Sequence, residues 1–256
     1  MRLGRRPHDK LALARAPSHR FGIAPPPPVL DRGDVAFMPE LYSNDIIPDC
    51  TAAALANAAR GIAALNGFGL VVDQACVPAF YGACAGHPPD LAATDGVVML
   101  DVLQRQASLG FDIGTQCLFG LFGTLDVRSR SALAHGIARL GAGYWGVTLL
   151  ERDMQRAAVW DVQDGRDDGE IAGGHAVIAW DYTSLSDDGT VRLGTWGCWQ
   201  RATWAWIAAR LDEAHGVCWR QLERADGTFY DRLTADGLVA EITASQCPAP
   251  EVRHTL

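Results

Sequence analysis

Two residues far apart in the chain, Cys50 and His175, have the types that nucleophilic catalysis needs. Cys50 follows a proline turn and opens "CTAAALANAARGIAAL", a run of small helix formers. A helix starting there leaves its first N–H groups unpaired and sets its positive dipole end at the sulfur, which favours thiolate over thiol. Cys50 is therefore a candidate nucleophile; taken alone, it also fits a buried structural cysteine. His175 lies in "AGGHAVIAWDY", where two glycines allow a sharp turn and a close approach, and the alternation that follows makes it the entry residue of a strand. An imidazole held there can act as a general base or as a satisfied structural side chain. A third stretch, "GTWGCWQ", sets Trp196 between glycines after a short strand.

The elements that must position these residues change character along the chain. From about residue 36 to 140 the pattern is helical. "TAAALANAARGIAAL" is apolar almost all round and reads as a helix buried on most faces. "VPAFYGACAG", "VVMLDVLQRQASLG", stopped by Gly110, and "SRSALAHGIARLGAG" follow it as helices. From Tyr144 the segments become short and rich in β-branched and aromatic residues: "YWGVTLL", "GHAVIAWDY" and "TVRLGTW", joined by Asp/Gly turns. "RATWAWIAARLDEAHG" reads as a further helix, "VCWRQL" as a strand, and "FYDRLTADGLVAEI" as a terminal helix bent near Gly237.

Composition narrows the function classes. The 256 residues, 48% hydrophobic, suffice for a large core. No apolar run reaches membrane-spanning length, and the N-terminus lacks the apolar core of a secretory signal. Neither secretion nor membrane contact is therefore expected. The seven cysteines are scattered without a CxxC pair, which argues against a disulfide framework or a zinc site. No Rossmann fingerprint or phosphate loop appears, so neither a cofactor nor a metal is expected. Residues 1–33 hold seven basic side chains against two acidic ones, a net of +5, so the rest of the chain carries −13 of the overall −8. The body thus repels nucleic acid. The arm reads as a solvated tail, or as a docking element for an acidic partner, and "PPPP" at 25–28 is its stiff tether.

Together the cysteine opening a buried helix, the histidine starting a strand 125 residues later, and the Trp-Gly that follows resemble papain-like cysteine peptidases. "LYSNDIIPDCTAAALANA", "LDVLQR", "GGHAVIAWDY" and "TWGCWQRATWAWIAARLDEAHGV" are similar to papain-like proteins of tailed bacteriophages and prophages; the resemblance spans roughly residues 38–242. It implies an α+β papain-like fold. An arm and tether over 1–36 would lead to a helical subdomain over 37–142 carrying Cys50. An antiparallel, barrel-like strand subdomain over 143–256, with a C-terminal helix, would carry His175. It also implies catalytic roles for Cys50 as nucleophile, His175 as base and Asn44 as an oxyanion donor, with Trp196 shielding the site.

The family's orienting asparagine is replaced by Gly194, which leaves a backbone carbonyl, Asp161, Gln200 or nothing to orient His175. Asp49 beside the thiol is expected to cap the helix. Two functions follow. One is a Cys–His hydrolase of a peptide or protein substrate, cleaving an amide through a thioester. The other is an inactive papain-fold binding or virion protein that docks on neighbouring subunits through its arm.

Overall fold

The structure, a computed structural model, describes residues 1–18, 25–155, 157–162, 169–229, 231–234, 236–237 and 239–240. After a short strand β1 (Arg5–Arg6) and helix α1 (Lys10–Arg15), the chain enters the buried helix α2 (Cys50–Leu65). Alanine's high helix propensity and small volume explain both the helix and its depth, because nearly every one of its residues is buried. Helices α3 (Cys76–Cys84) and α4 (Met99–Ser108) pack beside it, with β2 (Val97–Val98) leading into α4. Helix α5 (Arg130–Leu140) begins at Ser129, whose hydroxyl accepts from the Ala132 N–H, and ends at Gly141, where φ of 90° stops the helix.

The strands of this first half are β3 (Phe111–Asp112), β4 (Cys117–Leu118) and β5 (Gly120–Thr124). The remaining strands are β6 (Gly143–Leu150), β7 (Val159–Trp160), β8 (Ile171–Tyr182), β9 (Thr190–Thr195), β10 (Cys198–Thr203) and β11 (Leu211–Trp219), with α6 (Trp204–Arg210) between the last two. Seven of them form one sheet in the order β5-β11-β6-β8-β9-β10-β7, antiparallel except for the β10–β7 pair. The architecture is the expected mixed α+β one, with helices packed on the sheet.

Alternation along β6 and β8 splits the interior in two. Tyr144, Ala176, Ile178 and Trp180 join the core around α2, whereas Trp145, Val147, Val177 and Ala179 join a second core with α5, α6 and the tryptophans 160, 196, 204 and 206. Those tryptophans are core side chains.

Some local expectations give way. The run 201–216 is not one helix. It holds the end of β10, the seven-residue α6 and the start of β11, because pairing with β6 and β5 draws residues from Leu211 onward into the sheet. Strand β5 sits in the stretch read as helical and forms the sheet's edge beside β11. Arg5 and Arg32 of the basic arm are buried. Arg32 donates to the carbonyls of Ile137 at 2.8 Å, Trp180 at 2.7 Å and Gly141, so it closes the C-terminal end of α5. The expected C-terminal helix over 229–242 is not helical in its first part, where Thr234 pairs with Thr228, and residues 230, 235, 238, 241 and 242 of it lie outside the described residues. Among the described residues, no helix is long and apolar enough to cross a membrane.

Candidate active site

Cys50 is the first residue of α2 and is 1% exposed. Its sulfur faces the backbone N–H groups of Ala176, on β8, and Gly4, on the N-terminal segment. Burial pushes the thiol up to about 12; those two N–H groups and Arg5 pull the other way, while Asp49 adds to the rise. Asp49 sits at the N-cap position but makes no side-chain capping bond, which corrects the expected cap. Wholly enclosed, with neither carboxylate oxygen hydrogen-bonded among the described residues, it is raised by burial to about 7, against the opposing pull of the Asn44 amide.

His175 stands on β8 opposite Val147 of β6 and is 1% exposed. Its Nε2 lies 2.6 Å from Thr195 Oγ1, and its ring stacks on Trp196 with centroids 4.3 Å apart. Nδ1 has no hydrogen-bond partner among the described residues. Burial, and then the nearby Arg5 charge, lowers the imidazole to about 3, so thiol and imidazole are both neutral.

Trp196 and Gly197 form the two-residue connection from β9 to β10, since Thr195 pairs with Cys198. Trp196 takes φ of 46°, an uncommon conformation for a bulky residue, and this turns the indole back over His175. Behind it Trp160 meets Trp196 edge-on at 6.3 Å and stacks on Trp206 at 4.7 Å. Asp153 fixes the far end of this series: its carboxylate accepts from Trp206 Nε1 at 3.0 Å, Arg210 Nε at 3.2 Å and the Leu150 N–H at 2.8 Å, and its carbonyl accepts from Trp160 Nε1 at 2.9 Å.

Sequence reasoning missed Thr195. Neither Asp161 nor Gln200 reaches the imidazole: Asp161 accepts from Thr203, and Gln200 donates to the carbonyls of Ala157, Ala158 and Arg201. A side chain at 194 would have to enter the space of Ile178 and Pro39, so position 195 is the one that faces the ring. The available signal was strand alternation, which places neighbours on opposite faces of β9.

Asn44, Cys50, His175, Thr195 and Trp196 line one cavity of about 10 Å³, the room of a single water molecule at most. The Asn44 amide donates to the Ile47 carbonyl at 3.3 Å, and its backbone carbonyl accepts from the Arg2 N–H at 2.9 Å. Among the described residues no group of three or more His, Cys, Asp or Glu is placed to hold a metal.

The chain's first residues pack beside this cavity, against Cys50, Pro48 and Gly174, without lining it. β1 pairs in parallel with β2, Arg5 opposite Val97, and the Val97 N–H donates to the Gly4 carbonyl at 2.9 Å. Gly4 fits so closely that a β-carbon would fall on the Pro48 carbonyl oxygen, and one on Gly96 would fall on the Gly4 carbonyl. The Arg5 carbonyl lies against Gly174 in the same way. The Arg5 side chain runs inward to a buried ion pair with Glu213 at 2.8 Å.

No protein-family model and no curated protein matches the chain. Solved structures do. Xylellain, a cysteine protease from Xylella fastidiosa, superposes with a TM-score of 0.66 at 15% identity, over 84% of this chain and 95% of that one. Procathepsin B S9 of Trypanosoma congolense gives 0.59 at 11% identity, over 85% and 86%, and digestive procathepsin L 3 of the Tenebrio molitor larval midgut 0.58 at 13%, over 81% and 77%. The chain therefore has the fold of the papain-like cysteine proteases.

Proposed function

We propose that the protein is a Cys–His hydrolase of phage or prophage origin, acting in the host cytoplasm or the particle, that cleaves a peptide or related amide bond through a thioester. Its first residues hold it in a closed state. One arrangement carries the reading: a thiol at the head of a buried helix shares a cavity with an imidazole fixed by Thr195 and Trp196.

In the proposed cycle the thiol proton passes to His175 Nδ1 and the sulfur attacks the substrate carbonyl carbon. The oxyanion takes hydrogen bonds from the Cys50 N–H and from the Asn44 amide hydrogen not given to Ile47. The imidazolium then protonates the departing amine as the C–N bond breaks, and water hydrolyses the thioester with His175 again as base. Displacing the arm lets water reach both groups, which relieves the burial that keeps them neutral.

The test uses the full chain carrying Gly4→Ala, whose added methyl collides with the Pro48 carbonyl and displaces the arm without touching the reacting groups. This variant should cleave a mixed peptide library, and the double variant with Cys50→Ala should not. If Gly4→Ala cleaves nothing, and iodoacetamide modifies its Cys50 no faster than buried Cys218, the hydrolase reading falls and the inactive binding protein remains.

A further inference from the structure

We infer that the pocket holding Arg5 is a recognition subsite for an arginine side chain of the substrate, and that the arm closes the site by filling it with an arginine of its own. The inference rests on the reading of Cys50 as nucleophile, and names the substrate class of that site.

The pocket is built for a guanidinium on a long stem. Arg5 Nη1 donates to Glu213 Oε1 at 2.8 Å, and Nη2 reaches Asp212 Oδ2 at 2.5 Å, the Val147 carbonyl at 3.3 Å and Thr148 Oγ1 at 3.4 Å. Thr148 in turn donates to the same Asp212 oxygen at 2.8 Å. Room for the methylenes comes from Gly146: a β-carbon there would meet Arg5 Cδ, Glu213 Cγ and Met99 Sδ, each within 2.8 Å. The Glu213 side chain is fully enclosed, while that of Asp212 is 39% exposed, so Asp212 marks the mouth and Glu213 the floor.

Position ties the pocket to the chemistry. Gly4, the residue before Arg5, presents its N–H to the Cys50 sulfur, and the Arg5 carbonyl lies against Gly174, the residue before His175. A guanidinium in this pocket therefore belongs to the residue next to the one at the sulfur. When the arm leaves, Glu213 loses its arginine and, among the described residues, keeps only the longer contacts to His215 at 3.4 Å and His8 at 3.7 Å, the latter departing with the arm. A buried carboxylate stripped of its partner is costly, so the open site selects a replacement cation. The two carboxylates are served by different guanidinium nitrogens, Nη1 for Glu213 and Nη2 for Asp212 and the Val147 carbonyl, a division that the single nitrogen of lysine cannot reproduce.

The experiment uses the full chain with Arg5→Ala, and the Gly4→Ala chain as a second variant should the first fold poorly. Binding is read by thermal shift with Nα-acetylarginine methylamide, its lysine and its leucine counterparts. The arginine probe should raise the melting temperature of the variants and not of the parent, whose pocket is filled. Adding Glu213→Gln should abolish the shift.

Cleavage is read on peptides in which a single arginine is moved through an alanine–glycine frame. The cut should stay at a constant distance from the arginine, with kcat/KM about a hundredfold or more above an arginine-free peptide. Equal binding of all three probes, or cuts that ignore the arginine, would overturn the subsite. Arginine-selective binding with no cleavage at all would overturn the hydrolase reading and leave the pocket standing.

Discussion

The Thr195 hydroxyl and the His175 Nε2 are 2.6 Å apart, a buried hydrogen bond spanning β8 and β9. A hydroxyl donates as well as accepts, whereas an asparagine carbonyl only accepts. Thr195 therefore holds the ring's direction without dictating which nitrogen carries the proton. In the Gly4→Ala background, Thr195→Val should lower kcat by about 10- to 100-fold with little change in KM, and Thr195→Ser should restore most of it. Steady-state kinetics on one peptide decides this; an unchanged kcat in Thr195→Val would make the contact purely structural.

Protons on Asp49 and His175 work against each other in the folded protein. The His175 pKa is depressed from 6.5 to about 3, so between those values the unfolded chain binds the extra proton and the group stabilises the fold increasingly as pH rises. For Asp49, raised from 3.8 to about 7, the folded chain binds the extra proton, and its contribution is lost over nearly the same interval. Removing one side should unmask the other. Between pH 4 and 6.5, Asp49→Asn should show a stability slope more positive than the parent's by about 1.4 kcal/mol per pH unit. Urea unfolding across this range measures it, and parallel curves would refute it.

Iodoacetamide reads the closed state directly. With the thiol held at about 12 by burial, modification of Cys50 in the parent should be slow at pH 7 and rise about tenfold per unit of pH towards that value. In Gly4→Ala the rate at pH 7 should be at least ~10-fold higher, because water and the imidazole reach the sulfur. Peptide mapping separates Cys50 from the other cysteines, and equal rates in the two chains would mean that the arm does not gate the sulfur.

Asp153 secures the aromatic series that ends on the imidazole. Replacing it with alanine leaves the Arg210 guanidinium and the Trp206 N–H without this buried acceptor, at a cost of about 3–5 kcal/mol in unfolding free energy. Asp153→Asn, which keeps an acceptor oxygen, should lose less. Urea titration provides the comparison, and a loss below ~1 kcal/mol for alanine would show that the indoles hold themselves in place.

Sequence alone exposed the residues whose local setting is diagnostic: a cysteine at a helix start, a histidine entering a strand after two glycines, and a tryptophan in a tight connection. It concealed what depends on register and on distant pairing. Thr195 faces the imidazole because of how β9 pairs with β8; alternation separates its face from that of Gly194 without saying which of the two meets the ring. Arg5 looks like one charge in a basic tail, since its partner Glu213 lies 208 residues away. Glu213 itself stands in a stretch with helical composition that the sheet recruits as β11, where β-pairing overrides propensity.

The sheet that carries His175 is also a wall between two separately filled compartments. Cys50 belongs to one, and Trp196, which lies over the imidazole, to the other. A volume change in either compartment therefore presses on the strand that carries the ring. Substitutions well away from both residues, at Leu55 or Ile207 for example, thus bear on the pair from opposite faces of the sheet without altering either side chain.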